Sequence, residues 1–320
     1  MTGWREDAPA KVNLFLHVTG RRADGYHLLE SLFVYLDLAD RLEARILPPG
    51  ERDRLAVSGP TGAALQAAGD DNLVLRAVRA LRSRHRALPP LDLALVKRIP
   101  VAAGLGGGSA DAAAALRLGV RILQSLGEPV AEDGLAALAV NLGADVPPAL
   151  TSRACLVAGI GERITPLPAA PAFAGLHVLL VNPEEALSTA SVFRAHAASG
   201  RPFRRPLDGP DAAALADPQA LARWLADETG NDLEAAAVHL LPAVREVLDL
   251  LGATGALLAR MSGSGATCFA LFADEAAAAA AQNEIAAARP RWWTALARIR
   301  QSWQQDAAVG APSAPSGATA

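Results

Sequence analysis

Alternation of apolar and polar residues marks the first strand of the chain. The even positions from Val12 to Val18 are apolar, whereas Lys11 and Asn13 lie on the opposite face. A period of two predicts a half-buried strand over residues 10–18. Lys11 and Asn13 then project side by side, about 6–7 Å apart, and from the pattern alone both side chains could simply be solvated.

Similar patterns place strands and helices along the rest of the chain. Continuous or alternating apolar runs predict strands at residues 32–36, 42–47, 91–96, 176–181, 256–260, 267–272 and 292–299. Apolar residues at helical spacing predict helices at residues 72–84, 109–126, 132–142, 188–196, 231–251 and 274–289. Residues 201–218 are rich in proline, glycine and aspartate and read as a loop.

The stretch from residue 100 to residue 116 contains the most distinctive pattern. Its glycines are Gly104, Gly106, Gly107 and Gly108, and they run directly into Ser109 and an alanine-rich segment. Glycine permits a positive φ and close approach of a ligand, serine caps helices well, and alanine favours the helix interior. A glycine loop leading into a helix start is an anion site, because free N–H groups and the helix dipole converge there. We prefer this interpretation to a flexible linker, which needs neither the glycine run nor the helix.

Composition and charge exclude several classes of protein. A net charge of −3 over 320 residues argues against a general nucleic-acid binder. Cys155 and Cys268 are far apart and lack partners at metal-binding spacing, which favours two buried thiols in a reducing compartment. The N-terminus does not resemble a signal peptide, and no long apolar run is free of charge. We therefore expect a cytoplasmic protein that contacts neither membrane nor nucleic acid.

Known phosphate loops fit the glycine stretch poorly. No Gly-Lys-Ser/Thr follows the glycines, which excludes a Walker A loop. A dinucleotide fingerprint has Ser109 where its third glycine belongs, and the signature motifs of protein kinases are absent. Lys97 and Arg98 precede the loop and would suit a nucleotide, whereas Asp145, between a glycine and two prolines, reads by itself as a surface turn.

Several motifs together resemble one kinase family. The glycine stretch is similar to the ATP-binding motif of the galacto-, homoserine, mevalonate and phosphomevalonate (GHMP) kinase superfamily. Within that superfamily the chain resembles the 4-diphosphocytidyl-2-C-methyl-D-erythritol kinases, through Ala8-Pro-Ala-Lys-Val-Asn13, Asp24-Gly-Tyr-His27, Leu142-Gly-Ala-Asp-Val-Pro147, Asn231-Asp-Leu-Glu234 and Met261-Ser-Gly-Ser-Gly-Ala266. The resemblance implies transfer of the γ-phosphate of ATP to the 2-hydroxyl of a CDP-linked methylerythritol, in the non-mevalonate route to isoprenoids.

The same resemblance implies a two-domain α+β fold. We expect an N-terminal ATP-binding domain over residues 1–165 with a left-handed βαβ unit, although pattern alone would favour the right-handed crossover. A C-terminal GHMP kinase domain of ferredoxin-like topology would span residues 166–305. Residues 306–320 are of low complexity and are predicted to form a disordered tail.

The resemblance also assigns residues to the ATP side of the site. Asp145 would be the general base on the acceptor hydroxyl, and Lys11 would orient it and stabilise developing charge. The predicted ATP-binding residues are Lys97, Pro100, Gly104, Leu105, Gly106, Gly107, Gly108, Ser109 and Ala110, with Lys97 near the adenosine half. Mg²⁺ would be carried with ATP, which commonly leaves few protein ligands to the ion, and no metal-binding residue is predicted.

On the acceptor side, the resemblance implies contacts to cytidine and to the diphosphate. His27 would read the edge of the cytosine and Tyr26 would stack on its ring, with Phe193 as a second aromatic. The predicted acceptor-binding residues are Asn13, Tyr26, His27, Phe193, Ser262, Gly263, Ser264 and Gly265. Monomer and homodimer are both compatible with the sequence.

Two departures and two rival interpretations stay open. Asp111 stands where many relatives carry asparagine, and we expect its side chain to face away from the phosphates or to act through Mg²⁺. Pro148-Ala149 replaces a more apolar, aromatic pair, which concerns local packing only. The rivals are another kinase of the superfamily, such as a homoserine or mevalonate kinase, and a nucleotide-binding module without chemistry.

Overall fold

Two β-sheets organise the chain, and helices cover them. The computed structural model describes residues 3–62 and 71–301. The strands are β1 Trp4–Arg21, β2 His27–Ile46, β3 Arg54–Ser58, β4 Leu91–Val96, β5 Cys155–Gly159, β6 Arg163–Pro166, β7 His177–Asn182, β8 Leu258–Met261, β9 Cys268–Phe272 and β10 Trp293–Arg298. The helices are α1 Leu73–Arg84, α2 Gly107–Ser125, α3 Glu132–Leu142, α4 Val146–Thr151, α5 Pro171–Ala174, α6 Thr189–Ala198, α7 Pro218–Glu228, α8 Glu234–Leu240, α9 Ala243–Gly252 and α10 Glu275–Ala288.

The first sheet is built around the long strand β2. β1 pairs with it antiparallel from Trp4 to Arg21 along one edge. On the other edge, β4 pairs with residues 41–46 and β5 with residues 29–33. β3 runs parallel to β4, and the only helix placed between them in the described chain is α1, so β3, α1 and β4 form a βαβ unit. The left-handed crossover expected for this unit stays a prediction.

The second sheet has the ferredoxin-like order. Its strands lie in the order β10-β7-β9-β8, and the pairs are antiparallel. Helices α6 to α9 connect β7 to β8, and α10 connects β9 to β10, which gives a βαββαβ arrangement. The predicted α+β class, with two sheets in sequence, is therefore confirmed.

The hydrophobic core continues from one sheet to the other. One cluster of buried side chains combines Phe15 and Leu36 of the first sheet with Phe173, Leu180 and Phe269 of the second half. The main chain is also joined, since the N–H of Arg300 donates to the carbonyl of Tyr35 at 2.8 Å. The boundary at residues 165 and 166 thus stays a prediction, and the predicted tail at 306–320 lies outside the described residues.

Helix α2 is the buried support of the first sheet. Four consecutive alanines at 112–115 are fully buried, and their small side chains allow close packing. A Cβ at Gly119 would lie 2.5 Å from Leu81 Cδ2 of α1, so the two helices approach at that glycine. The small side chains of α2 therefore explain how this helix fits between the first sheet and α1.

Several sequence predictions of elements need correction. The predicted strands at residues 32–36 and 42–47 belong to one strand that runs without a break through the polar residues between them and ends at Ile46. Ser109 does not cap α2; Gly106, in a left-handed conformation, is the N-cap and the helix begins at Gly107. Residues 231–251 form two helices that are interrupted before Pro242. Elements β3, β5, β6, α4, α5 and α7 were not predicted, since most are too short to show periodicity.

Candidate active site

The glycine loop lies directly against strand β1. Gly104 and Gly106 have φ of 79° and 67°, which L-residues with a side chain rarely adopt. A Cβ at Gly106 would lie 2.7 Å from Lys11 Cγ, so only glycine allows this approach. The carbonyl of Leu105 accepts a hydrogen bond from the N–H of Lys11 at 2.9 Å. The start of α2 is therefore held beside the strand that carries Lys11.

The second glycine turn, residues 262–265, touches the first. Ser262 Oγ donates to the carbonyl of Gly104 at 3.3 Å and accepts from the N–H of Asn13 at 3.2 Å. The N–H of Thr267 donates to the carbonyl of Ala103 at 3.3 Å. Both turns and β1 thus form one joined wall, although they are distant in sequence.

Lys11 and Asn13 project into a cavity as adjacent residues on one face. Lys11 Nζ donates to Asn13 Oδ1 at 2.5 Å and lies 4.7 Å from the centre of the Phe33 ring. Asn13 Nδ2 donates to Ser31 Oγ at 2.8 Å. Because both side chains are buried and bonded, their positions are fixed before any ligand binds.

Asp145 is the residue immediately before α4, and its side chain lines the same cavity. Its Oδ2 lies 3.5 Å from Lys11 Nζ, and about a third of the side chain is exposed. A Cβ at Gly161 would lie 2.8 Å from Ala144 Cβ, so glycine there lets the loop before Asp145 approach the β5–β6 turn. The structure therefore brings the two predicted catalytic residues together.

Arg117 holds the two elements that carry this pair. Its guanidinium donates at 2.7 Å to the carbonyl of Ala149 in α4 and at 2.7 Å to the carbonyl of Asp7 in β1. Glu6 accepts from its Nε at 3.1 Å. Sequence reasoning did not single out Arg117; an arginine inside an alanine-rich helix was the available signal.

A cavity of about 430 Å³ surrounds these groups. Its lining includes Lys11, Asn13, Ser31, Gly104, Gly106, Ser109, Asp145, Thr189, Phe193, Gly263 and Ser264. Other predicted residues lie behind that lining, since Pro100, Leu105, Ala110, Ser262 and Gly265 are buried. Gly107 and Gly108 form the first residues of α2. The lining contains both apolar and polar residues. The hydroxyls of Ser109, Thr189 and Ser264 and the backbone N–H groups of the glycine turns suit an anion.

A second cavity of about 460 Å³ adjoins the first. It is lined by Asp24, Gly25, Tyr26, His27, Leu29, Ala144, Ile160 and Phe193, and the last three together with Leu29 line both cavities. The rings of His27 and Phe193 stack with centres 5.1 Å apart and planes at 28°, while Tyr26 is 65% exposed. This cavity therefore offers flat aromatic faces beside the first cavity.

His27 has the electrostatic character of a neutral imidazole. Burial lowers its pKa below the ordinary value, and the nearby positive charge of Arg21 and the His196 ring lower it further. A neutral imidazole has one donor and one acceptor nitrogen, which suits the mixed donor and acceptor edge of a nucleobase.

Lys97 is placed differently from the prediction. It is 1% exposed, lines neither cavity and bonds to Asp40 and Asp111 beneath the glycine loop. Its predicted contact with the adenosine half stays a prediction that this burial argues against. The Asp111 side chain bonds to Lys97 and does not line the cavity, and its expected orientation relative to the phosphates stays a prediction. Asp40 was missed, although a carboxylate within a long apolar strand was a usable signal.

Comparisons with known proteins give the family of the chain. Residues 72–153 match the family model described as GHMP kinases N terminal domain, and residues 211–290 match GHMP kinases C terminal. The chain is 49% identical to 4-diphosphocytidyl-2-C-methyl-D-erythritol kinase of Paracoccus denitrificans, over 92% of this chain and 96% of that protein. It is 48% identical to the kinase of the same name from Gluconacetobacter diazotrophicus, over 90% and 92%.

The chain belongs to the 4-diphosphocytidyl-2-C-methyl-D-erythritol kinase family. A crystal structure of 4-(cytidine 5'-diphospho)-2C-methyl-D-erythritol kinase aligns with a TM-score of 0.72 and 36% identity, covering 92% of this chain and 99% of that one. The fold alone is shared with homoserine kinase from Cytophaga hutchinsonii, at 20% identity and a TM-score of 0.63. The protein is thus a GHMP kinase, and ATP is its implied phosphate donor.

Two features are absent from the part of the chain that the structure describes. Among residues 3–62 and 71–301, no helix has the length and apolar character needed to cross a bilayer. The same residues contain no group of three or more His, Cys, Asp or Glu side chains that could hold a metal ion.

Proposed function

We propose that this kinase transfers the γ-phosphate of ATP to the 2-hydroxyl of 4-diphosphocytidyl-2-C-methyl-D-erythritol, a step of the non-mevalonate route to isoprenoid precursors. The supporting observation is the Lys11–Asp145 pair at 3.5 Å, beside a glycine-rich helix start and next to an aromatic cavity. The proposed sites for ATP, for phosphoryl transfer and for the acceptor base then lie side by side in two adjoining cavities.

In this proposal Asp145 removes the proton of the acceptor hydroxyl. Its carboxylate is partly exposed in the cavity and therefore accessible to a substrate. Lys11 orients the carboxylate and stabilises negative charge as the phosphoryl group moves. Asn13 fixes the ammonium by accepting one of its hydrogen bonds at 2.5 Å, which leaves donors for the phosphate and Asp145.

The glycine loop would bind the phosphates of ATP. Backbone N–H groups at the start of α2 and the helix dipole favour negative charge there. Among the described residues, Asp145 is the only carboxylate that lines this cavity, and Ser109 adds a hydroxyl. These few oxygen atoms fit a Mg²⁺ ion that takes most of its ligands from phosphate and water. When bound with ATP, the ion would neutralise phosphate charge.

The acceptor base would lie in the aromatic cavity. Tyr26 and Phe193 provide ring faces, and neutral His27 provides a donor and an acceptor. Ser264 and Gly263 line the cavity between this region and the glycine loop, where they would approach the acceptor diphosphate. Thr189 Oγ1 lies 2.8 Å from Ser264 Oγ and fixes that hydroxyl.

Replacing Phe193 with alanine tests the base site. Because stacking on a base is worth about 1–3 kcal/mol, we expect the KM for the acceptor to rise roughly ten- to hundredfold. The KM for ATP should stay within about twofold, since Phe193 is not part of the glycine loop. Phe203→Ala is the matched control, because that ring is 53% exposed and lines neither cavity. An acceptor KM that is unaffected by Phe193→Ala would contradict the assigned base site.

The function itself is tested by product analysis with purified protein. ATP is supplied with the cytidyl acceptor, homoserine or mevalonate, and phosphorylated product is identified by mass. We expect turnover with the cytidyl acceptor only. Turnover with homoserine or mevalonate instead would assign the protein to another branch of the superfamily. ATP binding without turnover of any acceptor would favour a binding module.

Location and assembly complete the proposal. We propose that the kinase acts in the cytoplasm on small molecules, without a nucleic-acid or membrane partner, in line with its near-neutral net charge of −3. Monomer and homodimer remain equally compatible with this function.

A further inference from the structure

A buried cluster of three charged side chains lies beneath the glycine loop. Lys97 at the end of β4, Asp40 in β2 and Asp111 in α2 are between 0% and 3% exposed. Lys97 Nζ donates to Asp111 Oδ2 at 2.7 Å and also to Asp40 Oδ2. One ammonium therefore connects a strand of the sheet to the helix that follows the loop.

The cluster holds both ends of the loop. Asp40 Oδ1 accepts from the N–H of Arg98 at 2.5 Å and from the N–H of Ile99 at 2.9 Å, which are the last residues before the loop. Asp111 lies in the second turn of α2, which begins at Gly107. A Cβ at Gly107 would lie 3.3 Å from Lys97 Nζ, so the ammonium lies close to the first residue of the helix.

The loop between these ends needs such support. Ala102, Gly104 and Gly106 all have positive φ, of 55°, 79° and 67°. Alanine in that region is strained, and strain persists only where the surrounding structure determines the backbone. Asp40 accepts from the N–H groups of residues 98 and 99, and Lys97 links Asp40 to Asp111, so both ends of the loop are held by one cluster.

Stability alone does not explain the cluster. Two carboxylates share one buried cation, and Asp111 Oδ1 has no hydrogen-bond partner among the described residues. Burial raises the pKa of the Asp111 carboxyl, although Lys97 opposes the rise. A buried ionic group of this kind is often no more stabilising than apolar residues of equal size. A positional role accounts better for its presence.

We propose that Lys97, Asp40 and Asp111 form a brace that fixes the two ends of the glycine loop, and that Asp111 is a positioning residue for ATP. This inference rests on the proposed function, because it assumes that the loop binds the phosphates. It assigns Lys97 a supporting place under the loop instead of a contact with the adenosine half.

Asp111→Asn tests the brace with the smallest change in shape. The variant keeps Lys97 paired with Asp40 but weakens the link to α2. We expect the Kd of a non-hydrolysable ATP analogue, measured by calorimetry, and the KM for ATP to rise about tenfold, the effect of losing one charged hydrogen bond. The KM for the acceptor should stay within about twofold, because no acceptor-binding residue contacts Asp111.

Asp53→Asn is the control for the loss of an ion pair elsewhere beside the same sheet, one that is partly buried. Asp53 accepts from Arg82 Nη2 at 2.8 Å and from the N–H of Leu91 at 2.9 Å, at the opposite end of β4. Its loss should lower thermal stability, as for Asp111→Asn, and leave the Kd of the ATP analogue unchanged. Equal effects of both substitutions on that Kd would reduce Asp111 to a general structural role and overturn the proposal.

Lys97→Met separates the brace from direct nucleotide contact. If the brace is correct, Lys97→Met and Asp111→Asn disrupt the same link. The double variant should then have an analogue Kd no higher than that of whichever single variant binds the analogue less tightly. Weak binding by Lys97→Met with normal binding by Asp111→Asn would instead show a direct contact. Absence of acceptor turnover in the unaltered protein would refute the proposed function, whereas the analogue Kd values would still decide on the brace.

Discussion

Replacing Asp145 with asparagine should lower kcat by roughly 10²–10⁴-fold, the usual contribution of a general base. The carboxylate lies 3.5 Å from Lys11 Nζ and lines the cavity, so its loss removes the group placed to accept the hydroxyl proton. Asparagine retains the size and cannot accept that proton. The KM for ATP should change little, because the glycine loop is not altered.

Single-turnover kinetics with saturating ATP measures this effect on the chemical step. Asp133→Asn in the first turn of α3 is the control, since that carboxylate is exposed and lines neither cavity. Calorimetry with an ATP analogue verifies that Asp145→Asn still binds nucleotide. A phosphoryl-transfer rate within threefold of the unaltered protein would exclude Asp145 as the base. A parallel loss of nucleotide binding would contradict the expected separation of Asp145 from the ATP-binding loop.

Gly104→Ala is the second substitution with a large expected effect. Gly104 has φ of 79°, and an added Cβ would lie 2.7 Å from the carbonyl oxygen of Ser262 and 2.8 Å from that of Gly265. Both obstacles are main chain, so the two glycine turns must move apart. Since a displacement of about 1 Å in a reacting site can cost 10²-fold, we expect kcat/KM to fall by about that factor.

Gly127→Ala separates the steric effect from backbone strain. Gly127 has a similar φ of 81° but no atom within 4 Å of an added Cβ. Both variants should lose about 1–2 kcal/mol of stability through the left-handed conformation. Urea unfolding measures the free energy of unfolding of both variants. In steady-state kinetics, Gly127→Ala should have normal activity and Gly104→Ala should not. Similar activity in the two variants would mean that contact between the glycine turns is not needed.

Local patterns predicted the elements that carry the site but not how they meet. The period of two in β1 correctly placed Lys11 and Asn13 on one face, where both line the cavity. The strand is not half-buried as predicted, because residues 10–18 are all buried. Asp145 could not be assigned from its own neighbours, since a turn residue gains its meaning from a contact with a distant strand. Only the family resemblance suggested that contact, and the structure contains it.

Buried polar groups were the main failure of local reasoning. Lys97 stands beside the glycine loop in sequence, which suggested a ligand contact, yet its side chain turns inward to two carboxylates. Asp40 bonds to Lys97, which lies 57 residues further along the chain. Ser109 looked like the helix cap because serine is a good cap, whereas the αL conformation of Gly106 starts α2 earlier. Such outcomes depend on tertiary partners that a local window does not contain.

The residues that line both cavities have a consequence for how much of the acceptor the enzyme needs. Ala144 lines both spaces and is followed directly by Asp145, so a base that fills the aromatic cavity presses on the segment that presents the carboxylate. Binding energy from a remote part of a substrate can then align the reacting atoms. An acceptor cut down to its phosphorylated sugar alcohol would lose turnover as well as affinity, and saturating concentrations would not restore it.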